Sequence, residues 1–277
     1  MPESLYHTLR HILRLNMIKV TTSTVHEFLA QMKTYFVNVD SKAKYTIEEP
    51  LRSELYSSDQ MKDHSQYLAE LHILSKEKPA DRLLKRLSDN EDILLRVRNL
   101  LSEAIKGNHV ITPAGEWLLD NFYLIEEQIR VAKKHLPKKY SEGLPTLENG
   151  ASAGFPRVYD IALEIISHSD GHIEMDSLNN FMQAYQSVST FKLGELWAVP
   201  IMLKLALIEN LRRVSARIAI DRISRNLADY WARQLIETVE TDPKDLILVL
   251  ADMARSNPPL ERAFVAEFMR QLRGKGP

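Results

Sequence analysis

The sequence predicts an all-α protein, a multi-helix bundle with one long, proline-kinked helix. Glycine, which with proline punctuates helices, is absent before Gly107 and again between Gly194 and Gly274. Within those tracts apolar residues recur every three or four positions. No tract sustains the apolar–polar alternation of a half-buried strand; residues 18–25 are only mildly strand-like.

Near the start, Val25, Phe28, Met32 and Phe36 follow helical spacing, and Thr24-Val25-His26-Glu27 forms a capping box. Residues 38–50 read as a connection and 60–74 as a helix. Pro79 opens the next helix, in which Leu94, Val97, Leu101 and Ile105 share a face and Gly107-Asn108 ends the run. Thr112-Pro113 then supplies a threonine cap and a proline at the first helical position. Leu118, Phe122, Ile125, Ile129 and Ala132 line one side of a single helix that stops at His135-Leu136-Pro137. Residues 137–156 carry Pro137, Gly143, Pro145, Gly150, Gly154 and Pro156, the composition of a long ordered loop or a subdomain boundary. Pro156 sits in the first turn of a helix whose Val158, Ile161 and Ile165 face inward. Asp170-Gly171 is a turn, and Leu178, Met182 and Tyr185 mark a further helix.

From residue 192 to about residue 240 the pattern is helical throughout. Pro200 is expected to kink this run, because proline removes a backbone donor and clashes with the preceding turn. The part beyond Pro200, about 40 residues, would span roughly 60 Å. Ile208, Leu211, Val214 and Ile218 form one stripe; Ile220, Ile223, Leu227, Trp231, Leu235 and Val239 form a second. Asp242-Pro243 closes the run. Leu246, Leu250 and Met253 mark one more helix, and Leu260, Phe264, Phe268 and Leu272 the last, before a linker-like Gly274-Lys275-Gly276-Pro277. The domain reading is a helical extension over residues 1–78 and a helical module over 79–277.

Composition narrows the function classes. Lys plus Arg is 36 against 37 for Asp plus Glu, which gives no support for generic binding to nucleic acid or anionic lipid. The chain has no cysteine, so disulfides and thiolate metal sites are excluded. The most apolar segment, residues 197–208, is interrupted by Lys204 and falls short of the roughly 20 residues of a membrane span. No signal peptide is visible at the start, and the chain reads as a soluble piece.

Several blocks, in order, carry a family resemblance. They are Trp117-Leu118-Leu119-Asp120-Asn121-Phe122 with Ile125-Glu126-Glu127-Gln128-Ile129; Leu144-Pro145 followed by Ala153-Gly154-Phe155-Pro156-Arg157-Val158-Tyr159; Ala184-Tyr185-Gln186; and residues 194–213, GELWAVPIMLKLALIENLRR. Over residues 79–277 the chain resembles the N-terminal region of the cyclic β-1,2-glucan synthases, very large bacterial glycosyltransferases of the inner membrane. The resemblance implies a parent in which a membrane-embedded glycosyltransferase, using UDP-glucose and a divalent metal, follows the matched segment. Such glycosyltransferases are similar in carrying aspartates for the metal-bound nucleotide and a Gln-x-x-Arg-Trp motif. This chain has no Asp-x-Asp, and none of Trp117, Trp197 and Trp231 follows an arginine, so no catalytic residue carries over.

Candidate constellations are few. His168 and His172 are four apart, a metal-binding spacing on a helix, but Asp170-Gly171 breaks the helix between them. His7 and His11 share the spacing near the terminus. Glu126-Glu127 would point to different faces, and Glu195 and Glu209 would lie about 20 Å apart along a straight helix, too far to flank one sugar. Those two acids are instead expected to pair with arginines such as Arg157 or Arg213. Arg212, Arg213, Arg217, Arg222 and Arg225 form a net positive stripe, read as a solvated face paired with Glu209 and Asp229 rather than a phosphate site. Phe155, Arg157, Tyr159 and Trp197 are the candidate substrate contacts, because aromatics stack on sugar rings; helically spaced aromatics are more often core.

The expectation is therefore a non-catalytic module with no metal or cofactor of its own, which scaffolds or regulates the following glycosyltransferase on the cytoplasmic side of the inner membrane. Its expected partners are that glycosyltransferase and β-1,2-glucan. The alternatives are a carbohydrate-binding helical module and a free-standing protein-interaction adaptor.

Overall fold

A computed structural model describes residues 48–77, 81–107, 109–258 and 260–274. Every regular element among them is helical, and β structure is limited to two isolated bridges, Leu74 with Leu147 and Thr146 with Pro156. The expectations for residues 18–36, and for His7 and His11, lie outside the described residues. The described residues divide into two compact units, a larger one up to Ala219 and a smaller one from Ile220 onward.

In the larger unit, helix α1 (Ser58–Leu71) starts at a complete capping box. Ser57 Oγ accepts from the Gln60 amide at 3.3 Å, and Gln60 Oε1 accepts from the Ser57 amide at 2.9 Å. The helix expected over residues 60–74 therefore starts two residues earlier, at its cap, and it ends at Leu71, because Leu74 is drawn into the bridge with Leu147. Helix α2 (Leu83–Lys106) buries Leu87, Leu94, Val97 and Leu101. Each such side chain contributes about 1.5–3 kcal/mol relative to exposure. Ile105, expected on that face, is half exposed; Ala104, three residues after Leu101, holds the inward position instead.

Thr112 caps α3 (Pro113–Asp120) by accepting from the Gly115 amide at 3.2 Å, with Pro113 in the first turn, as its sequence indicates. The single helix expected from here to His135 is two, α3 and α4 (Phe122–His135). Asn121 separates them. Its Nδ2 donates to the Trp117 carbonyl at 2.8 Å, a carbonyl that its own amide also uses at 3.1 Å. A short polar side chain competes in this way for a helical acceptor. The inward stripe survives the break, since Leu118, Phe122, Ile125, Ile129 and Ala132 are all buried.

Residues 136–156 form an ordered connection with one 3-10 turn, Tyr140–Gly143. Helix α5 (Arg157–His168) follows Pro156 and buries Val158, Ile161 and Ile165. Asp170 and Gly171, at φ 50° and 76°, make the left-handed turn that ends it. Helix α6 (Met175–Gln186) lies along α1, and α2 packs against α3 and α4.

Helix α7 (Leu193–Thr241) is the long helix read from the sequence, and it continues through Pro200. Its apolar stripes are only partly as expected. Ile208 is buried, but Val214 is exposed. The inward seam instead runs through Ala198, Met202, Leu205, Glu209, Arg212, Ala216 and Ala219. Charged residues occupy that seam, which apolar spacing does not detect. In the smaller unit, Leu227, Ala228 and Trp231 of α7 form a core with Phe264. Val249 and Met253 of α8 (Leu246–Ser256) and Phe268 of α9 (Arg262–Arg273) complete it.

Candidate functional site

Three polar clusters lie within the larger unit. The first surrounds Glu209 of α7, whose side chain is 1% exposed. Arg86 of α2 donates to it through Nη2 at 2.6 Å and Nε at 2.9 Å, and Asn90 donates at 2.8 Å. Arg213 donates through Nε at 2.9 Å, and Arg212 makes a further close contact. Glu48 shares Arg86, at 2.9 Å, and Arg212. Burial alone would raise the Glu209 carboxyl, but the hydrogen bond from Arg86 and the charges of Arg212 and Arg213 hold it far below the carboxylate range. Burial alone would lower the Arg86 guanidinium, but the hydrogen bond and charge of Glu209, with the charge of Glu48, push it up. Tyr159 lies beside this cluster, and burial pushes its phenol up as well.

The second cluster locks the start of α7 to α5. Arg157, 2% exposed, forks onto Glu195, with Nε to Oε1 at 2.6 Å and Nη2 to Oε2 at 2.8 Å. Its other donors reach Ser189 Oγ at 2.7 Å and the Thr190 carbonyl at 2.6 Å. The guanidinium also sits 4.9 Å from the ring centre of Phe191 and 5.6 Å from that of Tyr185. Tyr185 bonds His72 Nδ1 at 2.7 Å, and His72 Nε2 meets Asp160 at 3.0 Å. Burial pushes the Tyr185 phenol up to about 12.

The third cluster joins His64 of α1 to Glu164 and His168 of α5. Their donor atoms lie within 4.8 Å of one another, and theirs is the one such group of potential metal ligands among the described residues. A cleft of about 230 Å³ lies against His168, with Tyr56, Met61 and Phe181 among its lining residues.

These positions sort the residues singled out by sequence. Arg157 and Tyr159 are buried in ion networks, and Phe155 is half-buried against Tyr159, with ring centres 5.4 Å apart. Trp197 is 74% exposed on α7, with exposed Leu193 one turn before it on the same face, so it does not join the buried Arg157 and Tyr159. The expected pairing of Glu195 and Glu209 with Arg157 and Arg213 is what the structure contains. In the arginine stripe, Arg212 and Arg213 face Glu209, and Arg217 and Arg222 also have partners. Asp229 pairs with Arg233. His168 ends α5 and is buried, while His172 is exposed and faces Glu174. Sequence reading missed Arg86, Asn90, Glu48 and His64, which reach their partners across the fold.

Fold and clusters define an all-helical module cross-linked by buried arginine–carboxylate pairs. No helix among the described residues is long and apolar enough to cross a membrane. No family model matches the chain. The chain is 31% identical over 188 residues to the cyclic beta-(1,2)-glucan synthase NdvB of Rhizobium meliloti (strain 1021). That stretch is 68% of this chain and 6% of that protein. The chain is thus related to a fragment of the cyclic β-1,2-glucan synthase family, as its ordered motif blocks imply.

Proposed function

We propose that the chain acts as a non-catalytic helical module of a cyclic β-1,2-glucan synthase, scaffolding or regulating a glycosyltransferase that uses UDP-glucose and a divalent cation at the cytoplasmic face of the inner membrane. The relationship to NdvB supports the family. The state of the buried acids of α7 supports the role. Glycoside chemistry needs a carboxylic acid with a proton to give, placed about 5–10 Å from a second carboxyl across one sugar. Glu209 is held ionised by three arginines, and Glu195 is locked to Arg157, so both are committed to joining helices. The test adds the purified chain to membranes carrying a synthase that lacks the matching segment, and measures glucan formed from UDP-glucose. Restored synthesis, with none from the chain alone, is the expected result. Glucan made by the chain alone, or membranes that gain nothing from it, refutes the reading.

Trp197 favours a second reading, a module that holds nascent β-1,2-glucan. A tryptophan three-quarters exposed, with exposed Leu193 one turn away on its face, is a platform on which a sugar ring stacks. Calorimetric titration with linear and cyclic β-1,2-glucans tests it. Heat that disappears in W197A supports binding, and no heat at millimolar ligand refutes it.

A further inference from the structure

We infer that His64, Glu164 and His168 form a binding site for a divalent transition-metal ion, with zinc as the best fit. The inference stands apart from the glucan-synthase reading and rests on side-chain geometry. Glu164 and His168 lie one turn apart on α5, and α1 brings His64 onto the same spot. His64 Nε2 is 2.9 Å from Glu164 Oε2, and His168 Nε2 is 3.5 Å from that same oxygen. Tetrahedral zinc, with ligands about 2.0–2.2 Å away, holds its donor atoms roughly 3.3–3.6 Å apart, so the His168–Glu164 separation already suits it, and the hydrogen-bonded His64–Glu164 pair would open by about half an ångström to admit the ion.

The tautomer of His168 is the second observation. His168 Nδ1 lies 2.8 Å from the Glu54 carbonyl, which can only accept, so Nδ1 carries the hydrogen. With Nδ1 so occupied, it is Nε2 that faces the Glu164 carboxylate, and a ring nitrogen and a carboxylate oxygen at 3.5 Å attract only when a cation, a proton or a metal ion, sits on the nitrogen's side of the gap. A backbone carbonyl fixing the far nitrogen of a histidine is the usual outer support of a metal ligand.

The surroundings hold the ligands in place. Tyr56 stacks on His168 with ring centres 3.9 Å apart and meets His64 edge-on at 5.4 Å. The Tyr56 amide bonds the His168 carbonyl at 3.2 Å, and the Ser53 amide bonds that of Ser167 at 3.1 Å. On the α1 side, buried Ser65 Oγ donates to the Phe181 carbonyl at 2.7 Å. Glu164 is one-third exposed and gives an ion its entrance. Two imidazoles and one carboxylate suit zinc or its neighbours in the transition series; calcium and magnesium prefer all-oxygen shells. The set leaves a fourth coordination position for water.

The test uses the full chain, stripped with a chelator and titrated with Zn²⁺ against a chromophoric competitor, and with Co²⁺ followed by visible absorption. One ion per chain and a four-coordinate Co²⁺ spectrum are expected. H64Q and E164Q should each weaken Zn²⁺ binding at least 100-fold at unchanged helical circular dichroism, while H172Q leaves it unchanged. If a ligand variant fails to fold, imidazole nitrogen NMR of the unaltered chain decides, through zinc-induced shifts at His64 and His168. Shifts confined to other histidines, binding unaffected by H64Q and E164Q, or no binding at micromolar Zn²⁺ overturns the site. In the last case a proton, not a metal, bridges His168 and Glu164.

Discussion

Replacing Glu209 with glutamine tests what joins α2 to α7. The carboxylate is buried and receives hydrogen bonds from Arg86, Asn90 and Arg213, with Arg212 in close contact. Glutamine keeps the size but removes the charge, so Arg86, Arg212 and Arg213 would share the partly exposed Glu48 alone. Breaking one side of a buried ion network costs about 3–5 kcal/mol, because the remaining charge is left uncompensated. A unit of this size loses about 2–4 °C in Tm per kcal/mol, so E209Q should melt roughly 6–20 °C lower. The pH dependence has a definite sign. The folded carboxyl lies far below its ordinary value, so the unfolded chain binds the proton more readily. The stabilisation is complete above about pH 4.3, the unfolded value, and is lost as pH falls further. E209Q lacks this term, so the two melting curves should converge as acid is added. Circular dichroism melts from pH 7 to pH 3 supply the measurement. A Tm change below 2 °C at pH 7, or a gap that stays constant into acid, would refute the argument.

The other expectations are simpler. R157A should cost about 3–5 kcal/mol in urea denaturation, since it strands Glu195 in the interior. R157K should recover only part of this, because an ammonium cannot reproduce the two-pronged contact. G154A should destabilise by about 1–2 kcal/mol, since Gly154 has φ +82° and the new methyl would lie 2.5 Å from Arg82 Nη1. The Arg82 side chain can move aside, but the backbone strain cannot; a neutral G154A would contradict the local geometry. W197A should change stability by no more than about 0.5 kcal/mol, because Trp197 is mostly exposed. A large drop in its melting temperature would place Trp197 in a packed core.

Much of the fold is legible in the sequence because its signals are local. Thr112-Pro113 and Asp170-Gly171 mark the ends they make, and the stripe from Leu118 to Ala132 is buried throughout. The pairing of Glu195 and Glu209 with arginines was legible too, since charged groups inside a long helix need opposite charges. The errors arise where a nonlocal or polar interaction decides. Val214 looks like core, but the seam of α7 is set by Glu209 and Arg212, whose partners Arg86 and Glu48 are 123 and 164 residues away. Asn121 interrupts a perfect apolar stripe through one side-chain hydrogen bond. The spacing that sequence reading picked out joins His168 to His172, whereas the structure joins His168 to Glu164 and to His64, 100 residues from Glu164, which no periodicity links.

The connection from residue 136 to residue 156 has the glycines and prolines of an open loop, yet its backbone is tied on both sides. The Leu147 amide bonds the Phe155 carbonyl at 3.0 Å, that of Gly154 the Leu147 carbonyl at 2.8 Å, and that of Glu148 the Ile73 carbonyl at 2.8 Å. Leu144, Thr146 and Leu147 of this stretch are themselves buried. Deuterium should therefore enter these amides only when the neighbouring helices open, leaving a slowly exchanging patch without regular secondary structure. Proteases, which require several residues of free backbone, should pass over this stretch despite the exposed Lys138 and Lys139 at its edge.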